Sequence, residues 1–166
     1  MIYHYCPSCG SSIELREIER RPRAYCSNCD TVHYEQLKVG AGAIIERRDH
    51  LLLIQRTIDP FQGCWNLPAG YVEVDESPIE AVRREVWEET GLEVEVMDLV
   101  NVYFFNDDPR GNGLHIVYNC RIVGGTLEER EEGINPTYFH PTQVPANLAG
   151  GGHDQAVRAW SERTRH

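Results

Sequence analysis

The chain has 166 residues, 41% of them hydrophobic, with 26 acids against 16 lysines and arginines and a formal net charge of −10. That length holds one full domain and a small appendage; no run approaches the roughly 18–20 apolar residues of a membrane span, and the acidic balance argues against a nucleic-acid binder. The first residues lack a basic start followed by an apolar core, so the expectation is a cytoplasmic chain.

In chain order, the first feature is a cysteine pattern. Cys6-Pro7-Ser8-Cys9 is followed by sixteen residues and then Cys26-Ser27-Asn28-Cys29, with Gly10 after the first knuckle. Two knuckles that each supply a pair of thiolates suit tetrahedral zinc. Two disulfides are the competing reading, which a reducing compartment disfavours. Four thiolates leave no open coordination position, so this metal is structural. Residues 1–36 are too few to bury a useful core without a staple. A zinc ribbon is therefore expected over 1–36 and a second domain over 37–166. His4 and His33 read as surface residues flanking the knuckles, and Cys64 and Cys120 as buried structural thiols.

From Lys38 the pattern turns to strands. Val39 to Glu46 and Leu51 to Gln55 are apolar runs divided by Arg47-Arg48-Asp49-His50, which predicts a hairpin. Trp65-Asn66-Leu67-Pro68-Ala69-Gly70 then makes a turn into the most informative stretch, Gly70 to Leu92. Ser77 is a natural N-cap, Pro78 occupies the first helical position, Glu80 completes a capping box and Gly91 supplies the stop. Ile79, Val82 and Val86 form the stripe expected to face a core. Glu85, Glu88 and Glu89, spaced i, i+3 and i+4, fall on one helix face at about 100° per residue, pointing away from that stripe. Arg84, four residues from both Glu80 and Glu88, is placed to bridge them.

Like charges at this spacing repel. Seven acids stand in the stretch against Arg83 and Arg84, so a cation is expected on the glutamate face. Hard divalent ions take carboxylate oxygens, and magnesium in particular is shared between a few carboxylates and substrate phosphates. A solvated acidic face without a ligand is the alternative.

Gly70, five residues, Glu76, seven residues, then Arg84-Glu85-Val86, Glu88-Glu89 and Gly91-Leu92 closely resembles the Nudix box. The resemblance implies an α/β fold, an α/β/α sandwich with a mixed β-sheet, and hydrolysis of a nucleoside diphosphate linked to another moiety. It implies Mg2+ or Mn2+ bound by Glu85, Glu88, Glu89 and the Gly70 carbonyl, with Arg84 as a structural bridge. A zinc ribbon before such a domain further resembles plant-type FAD pyrophosphatases and, less closely, NADH pyrophosphatases, whose Ser-Gln-Pro-Trp array is missing here. Pro109 only loosely resembles the proline of ADP-ribose enzymes. FAD, ADP-ribose, other dinucleotides and nucleotide sugars all stay open as the small-molecule nucleotide substrate. The resemblance also allows a homodimer.

Beyond the box, Leu92 to Phe105 and Leu114 to Val123 read as paired strands, and the loop Asp107 to Gly113 as the rim of a substrate pocket. The acidic run Glu128 to Glu132 is either a solvated loop or the source of a general base, with Glu132 preferred. Tyr138, Phe139 and the stretch to Pro145 read as a short strand and turn, and His153 to Arg163 as a terminal helix after a flexible Gly150-Gly151-Gly152. Trp65, Tyr71, Tyr103, Phe104 and Phe105 are near the expected pocket, but their strand spacing reads as core and none is assigned to base stacking. The reaction expected is attack of water on one phosphorus of a P–O–P bridge. A house-cleaning nucleoside triphosphate pyrophosphatase and a non-catalytic nucleotide sensor are the rival readings.

Overall fold

The computed structural model describes residues 4–164 and divides into two compact units, one up to Leu37 and one from Lys38. The first is an antiparallel sheet of β1 (Glu14–Ile18), β2 (Arg21–Cys26) and β3 (Thr31–His33) in that order. Its buried hydrophobics, among the described residues, are Cys6, Tyr25 and Cys26. The Tyr25 hydroxyl donates to Asp30, and the Arg16 guanidinium lies 3.6 Å above the Tyr25 ring. Apolar burial on this scale supports little structure alone.

The second unit contains β4 (Lys38–Arg47), β5 (His50–Arg56), β6 (Trp65–Asn66), β7 (Ala69–Tyr71), α1 (Pro78–Thr90), β8 (Leu92–Phe105), β9 (Gly113–Gly125), β10 (Gly133–Phe139) and α2 (His153–Thr164). The main sheet runs β10-β5-β4-β9-β8, with β6 on β5 and β7 on β4. β4 and β9 pair in parallel while the other pairs are antiparallel, which makes the sheet mixed. Alternation along β4 and β5 sends Ala41, Ala43, Ile45 and Leu52 to one face, where α1 packs with Ala81, Val82 and Val86. Ile44, Leu51 and Leu53 go to the other face and meet Ala156, Val157 and Trp160 of α2. Helices on both faces explain why Leu51 to Ile54 are all fully buried. The architecture is the α/β/α sandwich expected from the resemblance.

Several local expectations need correction. Ile79 is 41% exposed, because the buried arc of α1 is defined by Ala81, Val82, Glu85, Val86 and Glu89 and Ile79 falls at its edge. β10 begins at Gly133, ahead of Tyr138. Gly150 to Gly152 form a packed turn, not a loose tether: the Gly151 N–H donates to Asp107 at 3.0 Å, and a Cβ on Gly150 would overlap the Asp107 carboxylate. Among the described residues no helix is long and apolar enough to cross a membrane.

Candidate active site and metal centres

α1 is capped as its sequence demands. Ser77 and Glu80 form a reciprocal capping box, and Gly91 at φ 72° donates its N–H to the Trp87 carbonyl at 2.9 Å. The helix so fixed does not present its three glutamates together. Glu85 and Glu89 are 8% and 5% exposed and share the buried arc, while Glu88 is exposed. The acidic face thus turns partly into the domain, contrary to the outward orientation expected.

Glu89 accepts a 2.8 Å hydrogen bond from the Ala69 N–H, and burial pushes its pKa well above the usual carboxylate range. Burial also raises Glu85, against the pull of Arg84. β7 approaches α1 so closely at Gly70 that any Cβ there would coincide with the Glu85 carboxylate. Arg84 does bridge, but not to Glu80, whose carboxylate is spent on Ser77. It binds Glu76 through Nε at 3.0 Å and Nη2 at 2.5 Å, Glu85 at 2.6 Å, Glu88 at 3.0 Å and the Tyr71 carbonyl at 3.1 Å. These bonds from Arg84, joined by the Glu73 N–H, hold Glu76 down to about 2.

Glu85, Glu89 and Gly70 line a cavity of about 230 Å³. Glu132 lines it as well, and its charge adds to the upward push on both buried glutamates. Of the neighbouring acids, Glu128 pairs with Arg130 and Glu129 accepts the Asn135 N–H at 2.9 Å. Tyr71 and Phe105 also reach the cavity wall, whereas Trp65 stacks edge-on against Phe139 at 4.8 Å and Phe104 is 52% exposed. Tyr103 packs with the α2 core.

Five further polar residues line the wall, and of these only Asp108 and Arg110 fall in a stretch that the sequence marks as a pocket rim. Arg56, ending β5, has its Nε held by the Pro60 carbonyl at 3.0 Å. Asp108 and Arg110 lie in the loop expected to be the rim; burial works to raise Asp108, and hydrogen bonds from Arg110, including one of 2.7 Å, overcome it and hold the carboxylate low. His115 and His153 complete the wall from β9 and α2.

In the first unit, the sulfurs of Cys6, Cys9, Cys26 and Cys29 all lie within 4.8 Å of one another. No other group of three or more such residues converges as tightly among the described residues. The donor set and its compactness fit tetrahedral zinc. His33 is half-buried with Nε2 3.5 Å from the Cys6 sulfur, closer than a surface flank, while His4 is exposed. Cys64 is only half-buried; Cys120 is buried, which pushes its thiol up to about 12.

Residues 36–160 match the NUDIX domain family, and residues 4–35 match the Nudix N-terminal family. The chain belongs to the Nudix hydrolase family. A NUDIX hydrolase from Nitrosomonas europaea superposes with a TM-score of 0.82 at 30% identity, over 98% of this chain and 93% of that one. An ADP-ribose pyrophosphatase of Methanocaldococcus jannaschii is 41% identical over 108 residues, 64% of each chain. A NAD-capped RNA hydrolase of Stutzerimonas stutzeri, NudC, is 31% identical over 145 residues, 87% of this chain and 50% of that protein. The chain thus spans between half and about two thirds of the length of these curated relatives.

Nudix hydrolases use divalent metals, and the residues here fit one. Glu89 is a buried carboxylate that accepts its hydrogen bond from a neutral N–H, that of Ala69. Such a group is costly as an anion until a cation compensates it. Glu85 beside it and the bare backbone of Gly70 add hard oxygen donors at the same wall.

Proposed function

We propose that the chain hydrolyses the P–O–P bridge of a nucleoside diphosphate linked to a second moiety, with ADP-ribose and NAD-type dinucleotides foremost. The observation that carries this reading is the pair of buried carboxylates, Glu85 and Glu89, set against side-chain-free backbone at Gly70 on the wall of a cavity that also holds Arg56 and Arg110. The names of the M. jannaschii and S. stutzeri relatives support a substrate containing an ADP diphosphate.

Glu85, Glu88, Glu89 and the Gly70 carbonyl would hold magnesium or manganese, which when bound neutralises phosphoryl oxygens and makes water easier to deprotonate. Arg84 fixes Glu85 and Glu88 in position through its hydrogen bonds to both. Glu132, the acid of its run that reaches the cavity, takes the proton of the attacking water. Arg56 offers planar donors to a phosphate, and its Nε bond to Pro60 restricts the guanidinium beforehand. Tyr71 and Phe105 offer aromatic surface to the base. The products are a nucleoside monophosphate and the phosphorylated second half. In the ribbon, Cys6, Cys9, Cys26 and Cys29 would hold zinc as a structural staple.

The test offers the purified protein, with magnesium, ADP-ribose, NADH, FAD, a nucleotide sugar and dNTPs. AMP release from the ADP-containing compounds is expected. Pyrophosphate release from dNTPs alone moves the reading to house-cleaning, and binding without turnover moves it to a sensor.

A further inference from the structure

Two apolar residues on the cavity wall have no part in the scheme above. Ile58 and Phe61 lie in the loop that joins β5 to β6, and both line the cavity. Ile58 is 52% exposed and Phe61 is half-buried. Neither is among the residues that build the two cores on the faces of the main sheet. Among the described residues, the Phe61 ring stacks on no other ring.

Phe61 also holds a backbone conformation that its side chain disfavours, with φ at 70°. Left-handed backbone is tolerated by glycine and asparagine but is an outlier for a bulky residue, and it persists only where the surroundings impose it. Here they do. The Phe61 carbonyl accepts the Cys64 N–H at 3.0 Å, the Gly63 N–H donates to the Arg56 carbonyl at 2.9 Å, and the Gln62 side-chain amide donates to the Thr57 carbonyl at 2.9 Å. The turn before α2 is bare where the ring ends: a Cβ on Gly150 would stand 2.6 Å from Phe61 Cζ. Packing in a core does not explain an aromatic ring kept outside both cores, on strained backbone, facing a cavity. Strain of this kind collects at ligand clamps.

The loop also indicates what the ligand is. The Pro60 carbonyl, one residue before the ring, accepts from Arg56 Nε at 3.0 Å. The ring and the guanidinium that offers donors to a phosphate therefore belong to one braced turn. A group lying on Phe61 is a neighbour of that phosphate, and in a nucleotide the flat neighbour, joined through the sugar, is the base. A base presents its π face to the ring and apolar contact to Ile58, and stacking needs no particular hydrogen bonds.

We propose that Phe61, with Ile58 of the same loop, is a stacking platform for a base of the substrate and makes the site prefer nucleotides to sugar phosphates. The proposal deepens the hydrolase reading above and rests on it for the substrate class. Its test measures binding directly, by calorimetry with magnesium, of AMP, nicotinamide mononucleotide and ribose 5-phosphate, which shares the sugar phosphate but lacks a base. Wild type, Phe61→Asn and Phe61→Tyr are compared. Wild type should bind at least one mononucleotide more tightly than ribose 5-phosphate. Phe61→Asn, whose side chain suits left-handed backbone, should weaken that mononucleotide about 10-fold, leave ribose 5-phosphate unchanged and melt no earlier than wild type without ligand. Phe61→Tyr should restore the affinity. In turnover of ADP-ribose or NADH, whichever carries the affected base, Phe61→Asn should raise KM with kcat little changed. Equal weakening of all three ligands, unchanged mononucleotide binding in Phe61→Asn, or a wild type indifferent to the base overturns the platform. The expected binding pattern in a protein that turns over no nucleoside diphosphate derivative overturns the hydrolase reading alone.

Discussion

The Ala69 N–H donates a 2.8 Å hydrogen bond to the carboxylate of Glu89, and that bond ties α1 to β7 one residue ahead of Gly70. The contact is the hinge of the site's construction. It draws the helix against the strand until only a glycine fits opposite Glu85, and it holds a carboxylate where water no longer stabilises its charge.

Glu89→Gln follows from that bond. The glutamine carbonyl still accepts the Ala69 N–H, but there is no charge to desolvate and a poorer ligand for a divalent ion. Thermal unfolding in EDTA should show a metal-free variant at least as stable as wild type, whereas the rise in Tm that magnesium gives the wild type should vanish. Turnover should fall on the order of 100-fold or more. A magnesium-dependent shift of wild-type size in the variant would remove Glu89 from the ligand set.

Gly91→Ala tests the stop of α1. The backbone there has φ 72°, and a Cβ would lie 2.7 Å from the Thr126 carbonyl oxygen. Left-handed backbone and the clash together should cost about 1–2 kcal/mol, a fall in Tm of roughly 2–6 °C. Chemical denaturation measures the loss. An alanine variant as stable as wild type would mean that the helix end can be remade at no cost.

Acid should unfasten the Glu76–Arg84 pair. Hydrogen bonds from Arg84 and the Glu73 N–H hold Glu76 at about 2 in the fold against an ordinary 4.5. A lowered carboxylate pKa contributes stability that is full above the unfolded value and is lost as pH falls through the folded one, so the window is about pH 4.5 to 2. The raised Glu85 and Glu89 act in the opposite sense, and the difference between wild type and Glu76→Gln isolates the pair. Wild type should lose stability faster than the variant across that window in pH-dependent denaturation. Parallel curves would show that the pair contributes nothing.

Where structure follows from neighbours along the chain, it was legible. Ser77, Pro78, Glu80 and Gly91 bound α1, Leu92 to Phe105 is a strand to the residue, and the four cysteines converge as their spacing requires. Burial of Glu85 and Glu89 was not legible, because a stripe rule assigns the buried arc to apolar residues and here a functional cavity occupies part of it. Arg84 could reach Glu80 by helix spacing alone, yet Glu76, eight residues earlier in the loop, wins the guanidinium. Arg56, His115 and His153 come from β5, β9 and α2. Only the parallel pairing of β4 with β9 and the packing of α2 bring them to one wall, and no local pattern encodes those long-range contacts.

Zinc removal bears on the first unit alone. Its buried hydrophobics among the described residues are two cysteines and Tyr25, so the strands from Glu14 to His33 have little apolar surface to hold them. Binding free energy is then folding free energy, as in other small metal-stapled modules. The purified chain should contain one zinc per molecule by elemental analysis. Stripping it with a chelator should abolish amide protection over residues 14–33 while residues 38–164 retain theirs. Cys26→Ser should do the same without a chelator, because the Cys26 sulfur is fully buried and a hydroxyl is a poor zinc ligand. Protection persisting over 14–33 in zinc-free chain would show that the ribbon folds on hydrogen bonds and the Arg16–Tyr25 stack without its metal.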